Sequence, residues 1–283
     1  MGLFDRFKKQ KKEEPTASLG NVPEMLNAKL LFFEKPVLDA DSILEEVKLN
    51  FSDVFHGGGD KALMYFFPDI KIQFADGTVP AQVSIFVPND ESPEMELPEQ
   101  AFQQNWNWPE AEEVAGRCKY EILVTDFMAT NLDHQTRVDL FTNFLVAAAK
   151  VSDPQAIYSI PAQKLIETKS FVEDWEGPNR ETLFGIVNVR LFNIANDETR
   201  DILMDTVGMS PLGLPDFQFR FSSHDEGRVA ALLLNYVQYV YDKGDIIADG
   251  NTISGFDQNE KYKCQRQVAL AGPERIVINL SQA

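Results

Sequence analysis

The sequence predicts an α+β protein, with mixed or antiparallel sheets and helices packed on one face. Three observations predict it. Segments alternating at period two are interspersed with segments of helical period. Asp/Gly and Pro clusters separate them at short intervals. Residues 213–255 hold a strand, a helix and a return turn in succession, which is one α+β unit.

Residues 1–23 read as a basic tail. Leu3, Phe4 and Phe7 fall together on one amphipathic turn, and lysines follow. Membrane-surface contact through residues 1–12 is one reading of that pattern. A tail without a membrane role is the preferred one, since the stretch is short and Arg6 stands where myristoylation needs Ser or Thr.

A first lobe is expected over residues 24–104. It opens with a strand at 29–33, and a helix starts near Asp41 with Ile43, Leu44 and Val47 on one side. Phe55-His56-Gly57-Gly58-Gly59-Asp60 reads as a flexible loop. Ile70, Ile72 and Phe74 alternate with polar residues, Asp76-Gly77 marks a hairpin, and Ala81, Val83, Ile85 and Val87 alternate after it. An acidic, proline-broken connection spans 88–100.

A second lobe is expected over 105–283. Pro109 suits the start of a helix running through Val114. A strand follows at 120–127, then a helix at 134–150 with Val138, Phe141, Leu145 and Ala148 on one face. A short strand at 156–160 precedes a helix opened by Pro161 and carrying Leu165, Val172 and Trp175. Residues 183–194 read as a long apolar strand, central in its sheet. Strands at 262–270 and 274–280 close the chain as an antiparallel pair. Both halves start strand–helix and continue into hairpins, which suggests two similar lobes; one continuous sheet fits the pattern equally.

Within 213–255, Phe217, Phe219 and Phe221 alternate with Asp216, Gln218 and Arg220, as in a strand with one wet face. Ser223 to Glu226 fits a capping box. Val229, Leu232, Leu233, Tyr236, Val237 and Val240 form one helical stripe, with Lys243 and Gly244 at its end.

The formal net charge is −18. Residues 1–12 carry five basic residues against one Asp, leaving 21 basic against 43 acidic residues in the remainder. So acidic a body repels a phosphate backbone, which excludes nucleic acid as the expected partner and favours a protein partner. No apolar run is long enough for a membrane span, and the N-terminus lacks a secretory pattern. Cys118 and Cys264 are far apart in sequence; a reducing, cytoplasmic setting is simpler than one disulfide. Cys264 alternates with Tyr262 and Val268, as a small core residue would.

Chemistry-bearing motifs are sparse. His56-Gly57-Gly58-Gly59 looks like an esterase oxyanion loop, but no nucleophile elbow accompanies it, and Pro211 removes the N–H after Ser210. The glycines also lack the order of a phosphate loop. Asp242, Asp245, Asp249 and Asn251 could gather around a hard cation, but their spacing fits no EF-hand and suits ordinary turns. His56, His134 and His224 have no metal spacing. Asp249, Asn251 and Thr252 are the preferred polar binding residues. Trp108 is a further binding candidate, and Trp106 and Trp108 could stack on a ligand or anchor the core.

Several segments resemble the bacterial family catalogued as domain of unknown function 4261. They are Trp108-Pro109-Glu110-Ala111-Glu112-Glu113, Ile122-Leu123-Val124-Thr125, and the run from Gly213-Leu214-Pro215-Asp216 through Tyr239-Val240 to Asp249-Gly250-Asn251-Thr252-Ile253. The resemblance covers most of residues 29–280 and is densest after residue 200; Trp106-Asn107 and the triple glycine stand outside it. It implies a bacterial, cytosolic α+β protein and supplies no catalytic residues.

The expected function is therefore a non-enzymatic binding or protein-interaction module, in a stress or toxin-immunity setting. No catalytic residue, metal-ligand set or cofactor is expected. Two alternatives stand beside it: a metal-assisted hydrolase using the acidic turn at 245–252, and peripheral membrane attachment through residues 1–12.

Overall fold

The computed structural model of the chain describes residues 20–59, 61–87, 97–194, 201–257 and 259–282. Leu3, Phe4, Phe7 and most of the acidic 88–100 connection lie outside the described residues. The α+β class holds, with two sheets and helices packed against them.

The first sheet is antiparallel. Its strands are β1 (Asn27–Phe32), β2 (Phe55–Gly59), β3 (Ala62–Phe74), β4 (Gly77–Phe86), β5 (Tyr120–Thr125), β6 (Ala156–Ser159) and β7 (Lys164–Glu167). They lie in the order β2-β3-β4-β5-β1-β6-β7. Alternation along β1 sends Leu30 and Phe32 to one face and Leu31 to the other. Helices α1 (Ala40–Val47), α4 (His134–Ser152) and α5 (Thr168–Glu176) pack on the first face. The short helices α2 (Gln100–Gln103) and α3 (Ala111–Arg117) cover part of the second, where Leu31, Ala115, Tyr158 and Leu165 meet. Strand β5 pairs with both β4 and β1, so this sheet draws strands from both sides of residue 104.

The second sheet is mixed. Its strands are β8 (Asn188–Asn193), β9 (Ile202–Val207), β10 (Asp216–Phe221), β11 (Thr252–Ser254), β12 (Lys261–Val268) and β13 (Ile276–Gln282). The order is β11-β12-β13-β10-β9-β8, two antiparallel meanders joined by the parallel pair β10–β13. A parallel pair needs a crossover. Helix α6 (Glu226–Lys243) lies within it and packs on β8, β9 and β10. Helix α4 touches α1, α5 and α6, and its Phe144 meets Tyr65 and Phe67 of β3. This accounts for burial nearly all round α4, beyond the single face its sequence predicts.

Two buried ionic networks tie distant segments together. Asp126, just after β5, accepts from the Arg137 guanidinium and from the Leu26 amide at 2.6 Å, while Arg137 also donates to Pro211 O at 2.6 Å. Burial pushes the Asp126 carboxyl up to about 6 against the pull of Arg137. In the second sheet Arg190 grips Asp205 through two nitrogens, at 2.9 and 2.6 Å. Arg275 bridges Asp205 at 2.7 Å and Asp216 at 3.1 Å.

Several sequence expectations are corrected. The FHGGG segment is strand β2. A Cβ on Gly58, whose φ is 120°, would fall 2.1 Å from Ala62 O, so the glycine permits close strand approach. The helix expected from Pro161 is preceded by β7, because pairing with β6 buries Leu165 and Ile166 on opposite faces; α5 begins only at Thr168. The strand expected over 183–194 shortens to β8 and lies at a sheet edge. The expected wet face of β10 is dry at Asp216 and Gln218, where Arg275 and Thr206 donate to Asp216, the Leu270 amide donates to Gln218 and Gln218 donates to Asn279. The α6 cap is Asp225, which accepts from Arg228 N at 2.9 Å, in place of Ser223. Gly244 ends that helix with φ 81° and ψ −175°, a positive φ that suits glycine but lies outside the left-handed helical region expected of it. Both cysteines are free and buried, and burial pushes their thiols up to about 11.

Candidate functional site

A cleft of about 750 Å³ runs between α6 and residues 180–191. The deepest stripe of α6, Val229, Leu233, Val237 and Val240, packs into the core. The adjoining face carries Ala230, Leu234 and Gln238, with Glu226 and Gly227 in the first turn, and forms one wall. The facing wall comes from the turns before β8 and from β8 itself, with Leu183, Phe184, Val187, Val189 and Leu191 as its apolar members. Those turns are fixed by Phe184 N donating to Glu181 O at 2.8 Å and Val187 N to Leu183 O at 2.9 Å.

The rim is built by the segment after α2. Gln104 donates to Leu191 O at 3.0 Å and accepts from Leu191 N at 3.1 Å. Its amide thus takes the place of a neighbouring strand on the β8 edge. The Trp106 indole N–H donates to Val189 O at 3.2 Å while the ring stays exposed at the cleft.

Lys164, the first residue of β7, reaches the cleft from the other sheet. Its side chain is almost wholly buried. Nζ donates to Phe184 O at 2.9 Å and lies 4.1 Å from the Phe184 ring centroid. Burial drives its pKa down to about 8, while the Glu181 and Asp174 charges pull the other way. Among the described residues, no carboxylate forms an ion pair with it. The other cations of the cleft are occupied: Arg190 by Asp205, and Arg180 by the Trp175 ring at 4.2 Å and Asp139 at 3.6 Å.

The residues singled out from sequence lie in two places. Trp108 borders a smaller cavity of about 30 Å³ that Lys164 and Asn107 also line, next to the cleft. Asp249, Asn251 and Thr252 form an exposed turn and strand start at the far edge of the second sheet. Asp249 accepts from Arg266 N at 2.7 Å, and Asp245 accepts from the Arg266 guanidinium. Asn251 accepts from Ala248 N at 3.0 Å. Asp242 accepts from Gln238 at 2.8 Å. Among the described residues, no three His, Cys, Asp or Glu side chains are grouped to hold a metal ion. The histidines are dispersed: His56 meets Asp41, His134 meets Tyr241 O, and His224 stacks on Phe256.

Lys164 is not apparent from the sequence, which places the residue inside a helix. A lysine directly before Leu165 and Ile166 was the available sign, and only the pairing of β6 with β7 shows that it is buried.

Among the described residues no helix is long and apolar enough to cross a membrane. No curated protein and no solved structure matches the chain. Residues 205–281, from within β9 to within β13, match the model of the family described as Domain of unknown function (DUF4261), the family that the sequence resembles.

Proposed function

We propose that this protein is a non-enzymatic binding module that takes an organic molecule with an apolar body into the cleft beside α6. The observation that carries it is the cleft itself. At about 750 Å³ it falls within the size range of small-molecule sites, and its apolar wall residues are accompanied by polar ones, Lys164 among them. The acidic turn is not proposed as catalytic, since Asp245 and Asp249 are held by Arg266. Two free, buried thiols support a cytoplasmic setting. The acidic composition supports a basic protein as a further partner.

The test is titration with a neutral solvatochromic dye such as Nile red. The expected result is saturable binding at one site, with a blue-shifted emission. Ala230→Trp, which fills the cleft from α6, is expected to abolish that binding with little change in thermal midpoint. Binding that survives Ala230→Trp, or no saturable binding at all, overturns the reading.

A further inference from the structure

The cleft contains a cation that the protein leaves largely unanswered. An ammonium group has three N–H donors, and the one acceptor shown for Lys164 is Phe184 O. A buried charge is ordinarily met by a counter-ion with further hydrogen bonds. The charged groups around Lys164 do not supply one at contact. Asp174 of α5 and Glu181 act at longer range, and Asp174 also accepts from Glu181 N at 3.2 Å. Glu226 lines the α6 wall, and Glu167 of β7 accepts from Ser170. Arg180 and Arg190 already have partners.

We propose that the ligand is an amphipathic organic anion, a carboxylate on a hydrocarbon body, whose head group pairs with the Lys164 ammonium while its body lies along Val187, Val189, Leu191 and Leu234. This rests on the cleft being a binding site and adds the ligand's chemical class. The competing role for Lys164 is purely structural: its bond to Phe184 O would merely hold the turn before β8.

Calorimetric titration of the full chain with decanoate, and with 1-decanol as its neutral match, separates the two. Near pH 8 the Lys164 amine is about half protonated, so decanoate binding is expected to take up about half a proton, read from buffers of different ionisation enthalpy. From about pH 7 to about pH 9.5, decanoate affinity is expected to fall roughly 30-fold while decanol affinity stays constant. Lys164→Met is expected to remove the proton uptake and weaken decanoate at least about tenfold, without weakening decanol. Lys164→Arg keeps a charge at every pH, so it is expected to retain decanoate binding and flatten its pH profile.

Decanoate binding that takes up no proton and survives Lys164→Met overturns the Lys164 assignment. If Ala230→Trp still blocks it, the cleft reading stands. Binding of decanol and dye without decanoate likewise overturns the anion alone. Failure of all three probes overturns the cleft and the anion together. The wild-type proton uptake needs no variant, so a misfolded substitution cannot mask the outcome.

Discussion

Lys164 also makes a statement about stability. Its folded pKa of about 8 lies below its ordinary 10.5, so the folded chain holds this proton less tightly than the unfolded chain. The burial cost is fully present below about pH 8 and is relieved as pH rises towards 10.5. The full relief is about 3 kcal/mol for a shift of this size. Buried tyrosines oppose it at the top of that range: Tyr158 is pushed up to about 12, so unfolded tyrosines ionise first and stability falls above about pH 10. Between about pH 8 and 10, urea stability of the wild type is expected to rise relative to that of Lys164→Met. Equal slopes for the two proteins would show that Lys164 is not desolvated in the way its burial requires.

At the scale of elements, the β8 edge bears the most on the site. A sheet edge offers unpaired N–H and C=O groups to any passing strand. Here the Gln104 amide satisfies both groups of Leu191, and Trp106 satisfies Val189 O. Gln104→Ala would strip two hydrogen bonds from one residue. It is expected to cost about 1–3 kcal/mol in urea unfolding and to raise light scattering on warming. Unchanged stability would mean that solvent replaces the glutamine without loss.

Elements with strong local periodicity were legible in the sequence. The β3–β4 hairpin, α1, β5 and α6 all form near their expected positions, because alternation or helical spacing determines which face is buried. The failures share a different cause. Residues 164–167 look like helix until β6 supplies a partner, and Gly57–Gly59 look like loop until β3 does. No strand is expected at β9, whose Asp205 and Thr206 make sense only beside Arg190, Arg275 and Asp216. The site was less legible still. Trp108 lies beside the cleft through its place near α3, whereas Asp249 and Asn251 organise a turn against Arg266 and Cys264, and Thr252 opens β11.

At the scale of the whole molecule, the matched family segment is not a structural unit by itself. Residues 205–281 exclude β8 and half of β9, which form one end of the second sheet. They also exclude α4, against which α6 packs, and Arg190, which clasps Asp205. A fragment of those residues is therefore expected to show no cooperative urea transition by far-UV circular dichroism, while the full chain does. A sharp transition in the fragment would show that the second sheet needs neither α4 nor β8.

Lys164 belongs to the seven-stranded sheet, while the walls it faces come from the six-stranded one. The site is thus a seam, whose ammonium group is supplied by one sheet and whose walls are packed with the other. A chain whose sheets have not docked lacks the Lys164 end of that site. Occupancy should therefore leave the folding rate alone and slow unfolding, because the molecule in the seam must leave before the two sheets can part.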